Sequence, residues 1–177
     1  MITVALDAMG GDHGLEATID GAAYLSTEST DIRMLLVGDT AAMTRRLDQV
    51  RYDPSRITLV DATGVVKMDD KPAEALDRMP DCSILTAARL VRDGHAQALV
   101  SAGSTGATIL AAARTFGMLP GVRRAALASL RADIVDQRMQ GAMFVGGVEI
   151  ADEPLAELRA GQVDQMGFQP MDRQLRL

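Results

Sequence analysis

The sequence predicts an α/β fold in which a mostly parallel sheet lies between two layers of helices. Short apolar runs alternate with segments of helical periodicity from the amino terminus to about Leu130, the pattern of strand–helix–strand units. Two of these runs, Ile2–Leu6 and Ala96–Val100, are apolar with little alternation, as expected of central strands covered on both faces. Both open directly into glycine loops, and in such sheets ligands collect at the carboxyl ends of strands.

Ile2–Leu6 is the first strand, ended by Asp7 and the loop Ala8-Met9-Gly10-Gly11-Asp12-His13-Gly14. From Leu15 the spacing is helical, with Ile19, Ala22 and Ala23 on one face. Arg33–Val37 is a second strand closed by Gly38, and Asp39 or Thr40 stands in position to cap a helix lined by Met43, Leu47 and Val50. Ile57–Val60 is a third strand. Asp61–Met79, with Gly64, Asp69-Asp70 and Pro72, reads as a loop with short pieces of structure. Ser83 opens a helix whose apolar side holds Ile84, Ala87, Ala88 and Val91, and Gly94 stands where a C-cap glycine belongs. Ala96–Val100 runs into Ser101-Ala102-Gly103-Ser104-Thr105-Gly106. A helix follows, with Ile109, Ala112, Ala113 and Phe116 along one side, stopped by Gly117 and Pro120. Past Leu130 the pattern changes. Ala142–Ile150 predicts a strand or hairpin and Glu153–Ala160 a short helix. Gly161–Leu177 is a weakly patterned, Gln-rich tail expected to be less ordered. The chain thus divides into an α/β domain, residues 1–130, and a divergent carboxyl-terminal extension, residues 131–177.

With 177 residues, 47% of them hydrophobic, the chain suffices for one core with an appendage and not for two full domains. A net charge of -6 disfavours binding to phosphate backbones, and 3% aromatic content without Trp leaves few platforms for stacking bases; no nucleic-acid partner is expected. Cys82 is the only cysteine, which excludes an internal disulfide or a multi-cysteine metal site and fits a reducing cytosol. The first residues lack the pattern of a signal peptide, and no apolar run reaches membrane-spanning length. The expected location is cytoplasmic.

Two loops carry the candidate chemistry. In Ser101–Gly106 a strand ends, Gly103 and Gly106 flank the hydroxyls of Ser104 and Thr105, and a helix begins. Unpaired amides and the helix dipole at such a start suit an anion. A tight turn with Ser104 as an ordinary N-cap explains the same residues, and spacing leaves both readings open. In Asp7–Gly14, Asp7, Asp12 and His13 with Gly10 and Gly11 have the groups to orient a substrate or move a proton; a turn with Asp7 capping amides is the plainer alternative. Neither the dinucleotide fingerprint nor a Walker loop is present. Asp69-Asp70 reads as a surface turn rather than a cation site, His95 as a residue beyond a helix end, and Cys82 as a packed thiol. No metal or cofactor is expected.

Taken together, Ala5–Gly14, Leu36-Val37-Gly38-Asp39, Met68-Asp69-Asp70 with Pro72 and Ala75, Val100–Ala107 and Gly121–Leu127 resemble, in order and spacing, the motifs of bacterial phosphate acyltransferases, the fatty acid/phospholipid synthesis proteins. The resemblance implies an isocitrate/isopropylmalate dehydrogenase-like three-layer sandwich, truncated to its amino-terminal half. It implies acyl transfer from acyl carrier protein to inorganic phosphate, giving acyl phosphate for phospholipid synthesis. It also implies a homodimer or other homo-oligomer, with at most peripheral membrane association. From the chemistry of the two loops, Asp7, Asp12 and His13 are the catalytic candidates, and Gly10, Gly11, Ser101, Gly103, Ser104, Thr105 and Gly106 are the candidates to bind phosphate. The chain departs from the family at Ser104, where Asn is usual, and at Asp77, Met79 and Pro80, where basic residues cluster; only Arg78 keeps a positive charge there. A non-catalytic remnant that binds phosphate or a partner protein is the alternative.

Overall fold

A computed structural model describes residues 1–118 and the backbone of two further strands, 125–129 and 143–147. In chain order the elements are β1 (Ile2–Asp7), α1 (Gly14–Glu28), β2 (Ile32–Gly38), α2 (Thr40–Leu47), β3 (Ile57–Asp61), α3 (Pro72–Arg78), α4 (Ser83–Arg92), β4 (Ala98–Ser101), α5 (Thr105–Phe116), β5 (Ala125–Ser129) and β6 (Met143–Gly147). The first four strands form a parallel sheet in the order β3-β2-β1-β4. β5 and β6 pair antiparallel, with Leu127 opposite Val145, so the strand expected within Ala142–Ile150 is present. The expected helix at Glu153–Ala160 and the tail from Gly161 lie outside the described residues.

Successive residues of a strand face opposite ways, and the sheet is filled accordingly. Met34 and Leu36 of β2 pack with Ile19 and Ala22 of α1 and Met43 and Leu47 of α2. On the other face Ala5 of β1 and Val37 of β2 pack with Ala87 of α4. Helices therefore cover both faces, and the sandwich has three layers. A third cluster joins Ala75 and Leu76 of α3, Ile84 of α4 and Ala107 and Ala111 of α5.

Local signals act as expected at several ends. Asp39 caps α2 by accepting from the Ala42 amide at 2.9 Å. Gly94 takes φ +79°, and the amides of Gly94 and His95 return to the carbonyls of Val91 and Leu90; this paired closure is a Schellman motif, which needs a left-handed residue.

The short piece of structure within Asp61–Met79 is the helix Pro72–Arg78: proline fits a first helical turn, and Ala75 and Leu76 supply the buried side. The structure corrects two expectations. β4 is not central; among the described residues it borders the four-stranded sheet, pairing only with β1, and Val100 is half-exposed. An apolar run reports burial propensity, not the number of neighbours. Finally, α5 buries Ala107, Thr108, Ala111 and Ala112 and leaves Phe116 47% exposed. The helix is apolar on several sides, and its smallest residues take the close contact with α4.

Candidate active site

β1 and β4 are neighbours in register, with Asp7 opposite Ser101, so the two glycine loops leave the sheet side by side. Parallel pairing thereby brings together residues 94 positions apart: the Ser101 hydroxyl donates to Asp7 Oδ2 at 2.8 Å. The Gly103 amide in turn donates to Ser101 Oγ at 3.1 Å, and the Met9 amide to Asp7 Oδ1 at 3.2 Å. Asp7 is buried, and these partners are neutral donors rather than a cation.

Above Asp7 the loops touch backbone to backbone. A methyl group at Gly10 would stand 2.8 Å from Asp7 Oδ2 and 2.9 Å from both the amide nitrogen and the Cα of Gly103. Gly11, at φ +104°, lies against the Ala102 carbonyl. Only glycine permits this approach at both loops. Ser104 Oγ accepts from the Ala107 amide and so caps α5, leaving its own proton free of that bond. Gly106 packs against Pro72, tying α5 to the start of α3.

A small cavity of about 10 Å³ lies among Asp7, Gly10, Ser101, Gly103, Ser104 and the start of α4, the room of one water-sized group. Five of the expected site residues therefore meet at one point. Asp12 and His13 do not. They are exposed on the turn into α1, neither lines the cavity, and His13 makes no side-chain capping bond. Thr105 is exposed at the first position of α5.

Ser83 is a cavity residue that the sequence did not single out. It is 1% exposed. The Thr63 amide bonds the Asp81 carbonyl and the Ser83 amide bonds the Gly64 carbonyl, which sets the start of α4 beside β3's exit. The sequence signal, a serine at a helix start, is the same as that of an ordinary cap.

The other candidates resolve as turns and packing. Asp70 accepts from the Lys67 amide at 2.9 Å and approaches Arg78 at 3.6 Å. His95 is exposed after the α4 closure. Cys82 is fully buried, and desolvation pushes its thiol above the ordinary value. Asp77, which stands among the departures from the family pattern, pairs with Arg114 of α5 at 2.7 Å.

The α/β fold is shared with a solved structure, EutD phosphotransacetylase from Staphylococcus aureus, which superposes with a TM-score of 0.52 at 21% identity, over 86% of this chain and 48% of that one. The chain belongs to the fatty acid synthesis protein family, which matches residues 2–137. It is 47% identical over 129 residues to a phosphate acyltransferase of Shewanella amazonensis, covering 72% of this chain and 38% of the relative. A phosphate acyltransferase of Neisseria meningitidis is 36% identical over 157 residues, with 89% of this chain and 45% of the relative covered. The chain thus spans less than half the length of these relatives.

Proposed function

We propose that this chain forms the phosphate-handling part of an enzyme that moves a fatty acyl group from acyl carrier protein to inorganic phosphate, releasing acyl phosphate for phospholipid synthesis. One observation carries the reading: the glycine loops meet at Gly10 and Gly103, directly above a buried Asp7 and beside the start of α5. Backbone approach of this kind clears the space that side chains would fill, and helix-start amides favour an oxyanion there. Ser104 and Thr105 add hydroxyls. The proton of Ser101 is directed to Asp7, so Ser101 acts by holding the carboxylate and the Gly103 amide in place.

In the reaction a phosphate oxygen attacks the thioester carbonyl and the carrier thiolate leaves. Asp7 cannot attract the anion itself; its part is to accept a proton from phosphate. Asp12 and His13 act from the exposed turn, orienting substrate as it enters. We read the layers as an isocitrate/isopropylmalate dehydrogenase-like sandwich, with residues 1–130 as the acyltransferase-like unit, residues 131–177 as an extension, and a cytoplasmic homo-oligomer as the working form. No helix among the described residues is long and apolar enough to cross a membrane.

A second reading, a non-catalytic domain that binds phosphate or a protein partner, is favoured by Asp77, Met79 and Pro80, which occupy the family's basic cluster. Loss of these cations weakens the hold on phosphate and on an acidic carrier. Titration of phosphate against the 177-residue chain and a Gly103→Val, Thr105→Ala variant tests the site; the expected result is binding by the first alone. Equal binding by both would place the site elsewhere. Acyl phosphate formation from an acyl carrier protein thioester separates enzyme from remnant.

A further inference from the structure

We propose that Ser83 is an oxyanion-binding residue, whose hydroxyl donates to one oxygen of the bound phosphate so that the anion is held between the starts of α4 and α5. The assignment rests on the anion-site reading above and adds a residue and a second helix to it.

Three observations converge. Ser83 is 1% exposed and lines the cavity shared with Asp7, Ser101, Gly103 and Ser104. Its amide is bonded to the Gly64 carbonyl, and its hydroxyl takes part in none of the side-chain hydrogen bonds formed among the described residues. No buried side-chain polar atom lacks both a partner and access to space, so the Ser83 oxygen is spared only by the cavity it borders. A hydroxyl that opens only onto this cavity is satisfied by whatever occupies it. The cavity is about 10 Å³, which admits a single oxygen and not a whole phosphate. One oxygen therefore enters and the remainder of the anion lies outward, towards Gly103 and the start of α5.

The start of α4 supports this. Of its first-turn amides, that of Ser83 is bonded to the Gly64 carbonyl and that of Leu85 meets the Cys82 thiol, and the helix dipole adds partial positive charge on the side of Ser83. α4 is 10 residues and α5 is 12, long enough for both dipoles to act. The Ser101 proton is committed to Asp7, and Ser83 adds a hydroxyl to those of Ser104 and Thr105.

The test is a titration of inorganic phosphate followed by amide chemical shifts and calorimetry, on the 177-residue chain and its Ser83→Ala variant. In the unaltered chain the amide of Ile84 is expected to shift together with that of Ser104. Ser83→Ala is expected to bind phosphate about tenfold to a hundredfold more weakly, the loss of one hydrogen bond to a charged group. Its thermal midpoint should stay unchanged, because the hydroxyl has no partner to lose before phosphate binds. Phosphate binding with no Ile84 shift, or with equal affinity in Ser83→Ala, overturns the Ser83 assignment and leaves the α5 site standing. No phosphate binding by the unaltered chain overturns both. If the variant is unstable, the Ile84 shift in the unaltered chain decides.

Discussion

Gly10→Ala adds one carbon where the structure has no room for it. The new methyl would lie 2.8 Å from Asp7 Oδ2 and 2.9 Å from two backbone atoms of Gly103. Neither neighbour can rotate away: Gly103 has no side chain, and the carboxylate is held by Ser101 and Met9. Relief requires the two loops to separate, which strains the β1–β4 register. Overpacking of this kind costs about 1–3 kcal/mol, and three immovable contacts place this site at about 3. For a chain of this size that lowers the melting midpoint by about 6–12 °C. Gly38→Ala is the control. Its methyl would come closer to a neighbour, 2.6 Å from Met9 Cγ, but the neighbour is a flexible thioether, so about 1 kcal/mol is expected. Thermal and urea unfolding of both variants measure the difference. A Gly10→Ala protein within about 0.5 kcal/mol of the parent, or Gly38→Ala costing more than Gly10→Ala, would refute the claim that the loops meet through immovable backbone.

Ser104→Ala is expected to cost about 1 kcal/mol by removing the α5 cap, whereas Ser104→Asn keeps stability because asparagine caps as well as serine; urea midpoints that rank the two the other way exclude the capping role. Cys82, buried and with its thiol pushed up by desolvation, should react with a thiol reagent near neutral pH only as fast as the chain opens, and fast modification of the folded protein would contradict its placement. Asp20, held low first by its hydrogen bond from Arg46, and Asp53, held low first by the Ser55 hydroxyl, keep their carboxyls below the ordinary value of 3.8. A depressed folded value gives stability that is present above the ordinary range and lost as pH falls through the folded value. Asp20→Asn should therefore flatten the loss of stability below about pH 4, by a small and salt-sensitive amount since the pair is exposed; an unchanged acid slope would dismiss the Asp20–Arg46 contribution.

Much of this fold is legible in the sequence because its signals are local. Ile19, Ala22 and Ala23 mark the buried side of α1 by spacing alone, Asp39 announces a cap, and Gly94 a helix end. The α3 helix is hidden because seven residues barely complete two turns and Pro72 suggests a break as readily as a start. The edge position of β4 and the buried side of α5 depend on which elements become neighbours, which periodicity does not encode. The site divides the same way. Glycines and hydroxyls at strand ends point to Asp7 and Ser101–Gly106, but their meeting is a matter of strand order. Asp12 and His13 are close to Asp7 in sequence yet lie on an exposed turn. Ser83 is 18 residues before Ser101 and reaches the same cavity through the packing of α4 against α5.

The border position of β4 has a thermodynamic consequence. Among the described residues its four residues are held by one partner strand, so within that sheet this segment is the less anchored against local opening, and every such opening separates Ser101 and Gly103 from Asp7 and Gly10. A ligand gripping both loops acts as a reversible cross-link between distant parts of the chain. At a hundred times its dissociation constant it would suppress opening by about 2.7 kcal/mol. Amide exchange at Ala98–Ser101 should then slow by about a hundredfold, so the persistence of this strand would serve as a gauge of site occupancy without any turnover being measured.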